Sequence, residues 1–336
     1  MSLVVASSEE IGSLGIRRVK HLWSRCLAQR AGQTKASIDP DEWVADGTLI
    51  FGLGLGLHET LKFLYSEAPS FERFEQWILE KNGGTIAPRR IGRINAALAG
   101  TVDPAEMQVG EPVLTPEDLA FWRKNGYVVL HDAVTPENCA AAAQAIYDFL
   151  GMDPEDSRTW YGGPQGHSIW IPLLHHPAFW ANRNSPRIHG AFAQLWGRGD
   201  LWVSVDQGGM NPPETPNWRF PGPHLHWDAS LEPPMPFGVQ GILYLTDTEA
   251  AQGAFTCVPG FHLKIDDWLA SLNGADPRQQ DLQALGPVPI AGKAGDLIIW
   301  HHALPHGSSP NRATRPRVVQ YIFMRPTQWE YNSRWK

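Results

Sequence analysis

The stretch Pro223-His224-Leu225-His226-Trp227-Asp228 places a histidine two positions before an aspartate. Side chains two apart in an extended segment share a face, so the His226 imidazole and the Asp228 carboxylate would point at one spot. Further histidines occur far downstream, in Gly295-Asp296-Leu297-Ile298-Ile299-Trp300-His301-His302-Ala303-Leu304-Pro305-His306-Gly307-Ser308. Two histidines and one carboxylate on one side of an octahedron leave the opposite positions open, as a non-haem Fe(II) centre requires. The two stretches together therefore predict a metal site.

Length and composition predict a globular protein. The 336 residues are enough for one large domain with an extra lobe, or for two domains, and a hydrophobic fraction of 43% can fill a core. Fifteen tryptophans, 32 glycines and 28 prolines favour a loop-rich, mostly β fold over a helical bundle. The formal net charge of −7 argues against nucleic-acid binding, which depends largely on Lys and Arg neutralising phosphates.

Cysteine spacing and apolar runs indicate the compartment. Cys26, Cys139 and Cys257 are widely spaced and form no C-x-x-C pair, so the pattern predicts neither a disulfide framework nor a thiolate zinc site. Residues 1–10 lack a secretory pattern. The apolar run at 49–57 is about half of the ~20 residues that a membrane helix needs. We therefore expect a soluble, cytoplasmic protein with no membrane partner.

The chain divides into two predicted parts, a helical lobe over residues 1–110 and a second domain over 111–336. Within the lobe, Ser70 is a candidate N-cap, and the apolar residues that follow it recur at helical spacing and end before Asn82-Gly83-Gly84. In the second domain, Thr115 and Thr135 each precede a proline and an acid, which predicts two further helix starts.

Beyond residue 150 the pattern changes to short apolar runs broken by Gly and Pro. Together with 126–130, the predicted strands are 201–206, 237–246, 254–258, 297–300 and 318–324. Short strands without an alternating βαβ rhythm favour a barrel or jelly roll over a doubly wound sheet.

Residues from about 114 to 326 resemble the phytanoyl-CoA dioxygenase family of Fe(II)- and 2-oxoglutarate-dependent oxygenases. The similarity rests on three ordered motifs, at 114–130, 244–262 and 295–317. The resemblance implies a double-stranded β-helix, mainly β with flanking helices. It also implies Fe(II), 2-oxoglutarate and dioxygen as cofactors, and hydroxylation of a small molecule with release of succinate and CO2. By the same resemblance, His226, Asp228 and His306 are the iron ligands.

The resemblance also implies which residues bind 2-oxoglutarate. Arg317 matches the arginine that takes the distal carboxylate, a pairing that a planar guanidinium makes with two parallel hydrogen bonds. Ser308 matches the hydroxyl donor to that carboxylate, and Tyr244 is a candidate for lining the pocket. Arg315 is the rival of Arg317, although a position at the rim suits it better.

Several histidines allow other ligand schemes. His224 and His226 could form the H-x-H pair of a cupin, but Glu232 lies one residue too far on, and Trp218 stands where that motif has a glycine. We expect His301 and His302 either to hydrogen-bond to the metal ligands without binding the metal, or to have a purely structural role.

Two other functions stay open, a cupin-type metal enzyme that does not use 2-oxoglutarate and an inactive ligand-binding jelly roll. Asp228 favours hydroxylation over halogenation, because halogenases similar to this family carry a small residue at the position of the metal carboxylate. The substrate is not specified. Candidates for the pocket wall are Trp160, Tyr161, Trp170, Trp202 and Gln207.

Overall fold

The computed structural model describes residues 4–33, 39–162, 168–332 and 334. The helices in this part of the chain are α1 (Val19–Arg30), α2 (Pro40–Gly52), α3 (Leu57–Lys62), α4 (Phe71–Lys81), α5 (Pro88–Leu98), α6 (Pro116–Asn125), α7 (Pro136–Leu150), α8 (Pro177–Arg183), α9 (Pro186–Trp196) and α10 (Ile265–Ser271). The strands are β1 (Tyr127–Leu130), β2 (Trp170–Ile171), β3 (Leu201–Val203), β4 (Gly208–Asn211), β5 (Val239–Tyr244), β6 (Phe255–Cys257), β7 (Val288–Pro289), β8 (Leu297–His301), β9 (His306–Ser308), β10 (Arg317–Tyr321) and β11 (Met324–Pro326). The fold is therefore a mixture of helices and antiparallel sheets, and the expectation of a mainly β chain was too narrow.

The chain forms two compact units. The first comprises residues 1–109, 196–205 and 324–333, and the second comprises 110–195, 206–323 and 334–336. The first unit thus contains two segments from later in the chain, 196–205 and 324–333, and a division at a single position cannot describe it. The division into 1–110 and 111–336 stays a prediction.

The first unit contains the predicted amphipathic helix. Helix α4 begins after Ser70, whose hydroxyl accepts the Arg73 N–H at 3.2 Å, and it ends at Asn82. Phe74 is fully buried, and Trp77 stacks on Phe63 with ring centroids 4.6 Å apart. The prediction for this helix is confirmed, since capping and burial both follow from local sequence.

The second unit opens with the two other predicted helices. Thr115 forms a capping box with Asp118 at the start of α6, and Gly126 ends that helix in the left-handed conformation. Thr135 caps α7 with its hydroxyl, which accepts the Asn138 N–H at 3.2 Å. Both predicted helix starts are confirmed.

Two antiparallel sheets build the second unit. The larger has the strand order β1-β8-β5-β10-β4-β2, and the smaller has the order β7-β6-β9. Alternate residues of a strand share a face, so Gln240, Ile242 and Tyr244 of β5 lie on one side. Gln240 pairs with Trp300 of β8, and Ile242 pairs with Ile298, which places these side chains on the same face. Apolar members of this face contribute to a core that includes Phe255 and Val319.

Some elements differ from the sequence expectations. The run at 318–324 divides into β10 and β11, and the 201–206 run is a strand only over β3, which pairs with β11. Strand β4 was not predicted because its two glycines give no apolar alternation. A Cβ at Gly209 would lie 3.0 Å from Val319 Cγ2, a tight contact that the valine side chain would have to relieve by a small shift.

The cysteines lie among the described residues and form no disulfide; Cys26, Cys139 and Cys257 are all buried and free. Burial raises the pKa of each thiol, to about 11 for Cys26 and Cys139 and about 12 for Cys257, so the reactive thiolate is disfavoured. None of the described helices combines the length and apolar character needed to cross a bilayer.

Candidate metal centre

The two histidine motifs meet through the main chain. The His226 N–H donates to the His306 carbonyl at 2.9 Å, and the His306 N–H donates back to the His226 carbonyl at 3.0 Å. Gly307 permits this approach, because a Cβ there would lie 2.5 Å from the His224 carbonyl oxygen. The extended segment expected around His226 pairs with β9 through a single antiparallel bridge, between His226 and His306.

Three side chains converge at this bridge. One ligand atom from each of His226, Asp228 and His306 lies within 4.8 Å of the other two. Among the described residues, these three side chains are the group whose spacing could hold a metal ion. Asp228 Oδ1 lies 3.2 Å from His226 Nε2, and Asp228 Oδ2 lies 3.2 Å from His306 Nε2. The His306 side chain is buried, whereas that of Asp228 is 49% exposed, so the cluster is open on its carboxylate side.

Both imidazole rings turn Nε2 toward Asp228 and Nδ1 toward a backbone carbonyl. His226 Nδ1 lies 2.7 Å from the His224 carbonyl oxygen, and His306 Nδ1 lies 3.0 Å from the Leu304 carbonyl oxygen. A carbonyl oxygen only accepts, so Nδ1 carries a hydrogen in both rings, and Nε2 is the nitrogen left to bind a metal once it gives up any proton that it donates to Asp228. A hydrogen bond at the far nitrogen also fixes the ring orientation of metal-binding histidines. The residues therefore fit a divalent metal ion.

The Asp228 carboxylate and the His226 imidazole shift each other's pKa. Burial works to raise the pKa of Asp228, but its hydrogen bonds with His226 and His306 outweigh burial and hold it far below the usual range. Burial likewise works to lower the pKa of His226, and the Asp228 carboxylate reverses this to a net increase. Asp228 is thus ionised and available as an anionic ligand.

Arg317 is fully buried at the start of β10. Its Nη1 donates to the Ser308 hydroxyl at 3.1 Å, while its Nε and Nη2 are buried without a partner among the described residues. A buried, half-satisfied guanidinium is costly unless an anion completes it, and a carboxylate has the matching geometry. Arg315, by contrast, is exposed and paired with Glu155 at 2.9 and 3.0 Å.

Tyr244 lies on β5 and is fully buried. Its hydroxyl donates to the Ile290 carbonyl at 2.7 Å and accepts the Phe255 N–H at 2.9 Å. Burial raises the pKa of this phenol, which keeps its single proton in place. The hydroxyl therefore links β5 to neighbouring backbone, and a role for Tyr244 in the co-substrate pocket stays a prediction.

The remaining nearby histidines have other contacts. The His224 ring packs edge-on against Phe220, at a centroid distance of 5.3 Å. His301 Nδ1 accepts the Ala303 N–H at 3.0 Å, and His302 Nε2 lies 3.0 Å from the Pro236 carbonyl oxygen. Among the described residues these three histidines lie outside the ligand cluster.

Two of the candidate pocket aromatics, Trp202 and Trp160, have structural contacts of their own. Trp202 belongs to the first unit, where the Arg93 guanidinium lies 4.0 Å from its ring and its Nε1 donates to Thr327. Trp160 Nε1 donates to the Asp153 carbonyl. Both rings have packing roles in their own units, so the suggestion that they line the pocket gains no support.

Sequence reasoning missed two residues that contact the Asp228 segment. Gln240 Nε2 donates to Asp228 Oδ2 at 2.8 Å. Arg278 donates to the carbonyls on either side of Asp228, to Trp227 at 2.8 Å and to Ala229 at 2.7 Å. The signal for Gln240 was a lone amide in an otherwise apolar strand. Arg278 gave no signal, because its partners are backbone atoms about 50 residues away.

Two imidazoles, a carboxylate and a half-satisfied buried guanidinium are the donor groups of a non-haem iron enzyme that uses a 2-oxo acid. The family model described as "Phytanoyl-CoA dioxygenase (PhyH)" matches residues 122–319, which is more than half of the chain. The chain belongs to the phytanoyl-CoA dioxygenase family. It is accordingly an enzyme of the Fe(II)- and 2-oxoglutarate-dependent oxygenase class, with Fe(II), 2-oxoglutarate and dioxygen as its cofactors.

Individual relatives are distant. A putative phytanoyl-CoA dioxygenase of Dictyostelium discoideum is 22% identical over 260 residues, covering 62% of this chain and 74% of the relative. The Ava biosynthesis cluster protein O of Aspergillus versicolor is 22% identical over 250 residues, covering 63% and 80%. Among solved structures, the non-heme alpha ketoglutarate dependent carbocyclase SnoK from nogalamycin biosynthesis is 20% identical, covers 67% of this chain and 90% of its own, and has a TM-score of 0.48.

Proposed function

We propose that the enzyme hydroxylates a small organic substrate and converts 2-oxoglutarate and dioxygen to succinate and CO2. One observation carries this proposal: the fully buried Arg317 leaves two guanidinium nitrogens without partners in the unit that also holds the three candidate metal ligands. A metal enzyme that does not bind a 2-oxo acid would not need a buried guanidinium with two unpartnered nitrogens.

In this proposal each residue has a defined role. His226, Asp228 and His306 hold the iron, and Arg317 with Ser308 holds the distal carboxylate of 2-oxoglutarate. When bound, iron and 2-oxo acid supply the oxidising chemistry. The chain supplies orientation: the His224 and Leu304 carbonyls hold the imidazole N–H groups away from the metal side. Tyr244 and its apolar neighbours keep water from the co-substrate end.

The proposed fold is a double-stranded β-helix over 111–336, with residues 1–110 as a helical lobe. The antiparallel six-stranded and three-stranded sheets support this arrangement. Asp228 supports hydroxylation over halogenation, because its carboxylate would occupy the position that a halide needs.

The test is the release of succinate and CO2 from 2-oxoglutarate by anaerobically iron-loaded protein on exposure to air. Without an organic substrate we expect slow, uncoupled turnover of 2-oxoglutarate, and with the true substrate faster turnover. A metabolite screen that reports excess succinate can identify that substrate. A cupin-type enzyme would oxidise its substrate without 2-oxoglutarate. An inactive binding protein would consume none under any condition, and either result would reject the proposal.

A further inference from the structure

Gln240 connects the β5 strand to the candidate metal carboxylate. Its Nε2 donates to Asp228 Oδ2 at 2.8 Å, and the same oxygen lies 3.2 Å from His306 Nε2. A carboxylate only accepts, so the amide must present its NH2 group to Asp228. The hydrogen bond therefore fixes the rotation of the Gln240 amide as well as that of the carboxylate.

The other end of the Gln240 amide is unfavourable for folding. Its Oε1 is buried and has no partner among the described residues. The remaining members of β5 are apolar or glycine and are all buried. An unsatisfied buried carbonyl lowers stability, and an apolar side chain of similar size would avoid that loss. The strand thus carries a residue that its own packing does not explain.

We propose that Gln240 is a positioning residue for the metal carboxylate, an inference that rests on the proposed metal site. The Asp228 side chain is 49% exposed and is free to rotate toward solvent unless it is held. Gln240 holds Oδ2, so Oδ1 stays beside His226 Nε2, at 3.2 Å. Arg278 fixes the backbone on both sides of the same residue. Hydrogen-bond partners of this kind orient metal ligands.

A second strand glutamine provides the matched control. Gln320 of β10 is fully buried, its Oε1 accepts the Asn182 amide at 2.9 Å, and its Nε2 donates to the Phe179 carbonyl at 3.0 Å. Both ends of this amide are satisfied by the protein. Gln320 therefore serves stability and has no contact with the ligand cluster.

The experiment compares Gln240→Met with Gln320→Met. Mn(II) binding is measured by calorimetry, and the melting temperature is measured on metal-free protein. We expect Gln240→Met to weaken Mn(II) binding about 10–100-fold, as loss of a ligand-orienting partner does. Its melting temperature should be unchanged or higher, because the orphan carbonyl is gone. Gln320→Met should show the reverse, a lower melting temperature and an Mn(II) affinity within about twofold of wild type.

The two readouts separate positioning from structure. The inference is overturned if Gln240→Met binds Mn(II) like wild type, or if affinity and melting temperature fall together in both variants. A wild-type protein that binds no Mn(II) or Fe(II) would instead reject the metal site itself, and with it the proposed function.

Discussion

Arg317 donates a hydrogen bond from Nη1 to the Ser308 hydroxyl at 3.1 Å, and its Nε and Nη2 have no hydrogen-bond partner in the described part of the chain. The strand pairing of β10 with β4 and β5 holds the residue there, so the guanidinium is presented in advance to an incoming carboxylate. Binding a co-substrate therefore requires little rearrangement of this end of the pocket.

Replacing Arg317 by Leu should weaken 2-oxoglutarate binding by about 2 to 5 kcal/mol, more than about tenfold in affinity, because the carboxylate is left buried without its partner. Iron binding should persist. The metal-free variant should be at least as stable as wild type, since an unpaired buried charge is removed. Arg315→Leu is the control, because Arg315 is exposed and pairs with exposed Glu155. Calorimetry checks both; an effect confined to Arg315→Leu would transfer the role to that residue.

Replacing His306 by Ala should abolish stoichiometric Fe(II) binding and the weak visible band that 2-oxoglutarate chelation produces. The matched control is His302→Ala, since His302 contacts the Pro236 carbonyl. Anaerobic titration followed by absorption measures both. Retention of iron and band in His306→Ala, with their loss in His302→Ala, would mean that the third ligand is misassigned.

Replacing Asp228 by Ala removes the anionic ligand, so iron affinity should fall and turnover should nearly vanish. Residual activity should become sensitive to halide, because the vacated position can accept one. Wild-type turnover should be indifferent to chloride. Succinate formation with and without chloride provides the measurement, and a chloride requirement in wild type would contradict hydroxylation.

Replacing Tyr244 by Phe tests whether its hydroxyl serves structure or co-substrate. The change leaves the Ile290 carbonyl and the Phe255 N–H buried without their partner, so the free energy of unfolding should fall by about 1–3 kcal/mol. Affinity for 2-oxoglutarate should change far less than in Arg317→Leu. Urea unfolding and calorimetry give the two values. Unchanged stability with a large loss of affinity would assign the hydroxyl to the co-substrate.

The pH dependence of stability should include His301. Burial, followed by the charges of His302 and His262, lowers the pKa of its imidazole to about 3. Between pH 6.5 and 3, the His301 imidazole is protonated in the unfolded chain but stays neutral in the folded protein. The free energy of unfolding should therefore fall as pH drops from about 6.5 toward 3, by at most about 1.4 kcal/mol per pH unit from this group. His301→Gln should flatten that slope in urea unfolding at pH 4.5 to 7; an unaltered slope would exclude His301 as its source.

Local signals in the sequence were sufficient for several elements. The caps at Ser70, Thr115 and Thr135 place three helices because capping depends on residues within one turn. The spacing of His226 and Asp228 and the downstream histidine motif identified side chains that the structure brings together.

Other features depend on contacts that no local pattern encodes. The segment around His226 pairs by one bridge because it lies against β9, and a Gly at 307 is what admits it. Half of strand β4 is glycine, so its place in the sheet follows from its neighbours. The hydrogen bonds from Gln240 and Arg278 to the Asp228 segment cross between elements, and only the folded chain reveals them.

The main-chain bridge between His226 and His306 has a consequence for biosynthesis. Asp228 and His306 are 78 residues apart, and each histidine is held by hydrogen bonds from the other's backbone. A ribosome-bound chain that ends before β9 has neither the bridge nor the third side chain, so it offers iron at most two of the three proposed donors. The proposed site would therefore couple metal capture to completion of the fold. A nascent fragment should not retain iron, and a truncated product would be released empty.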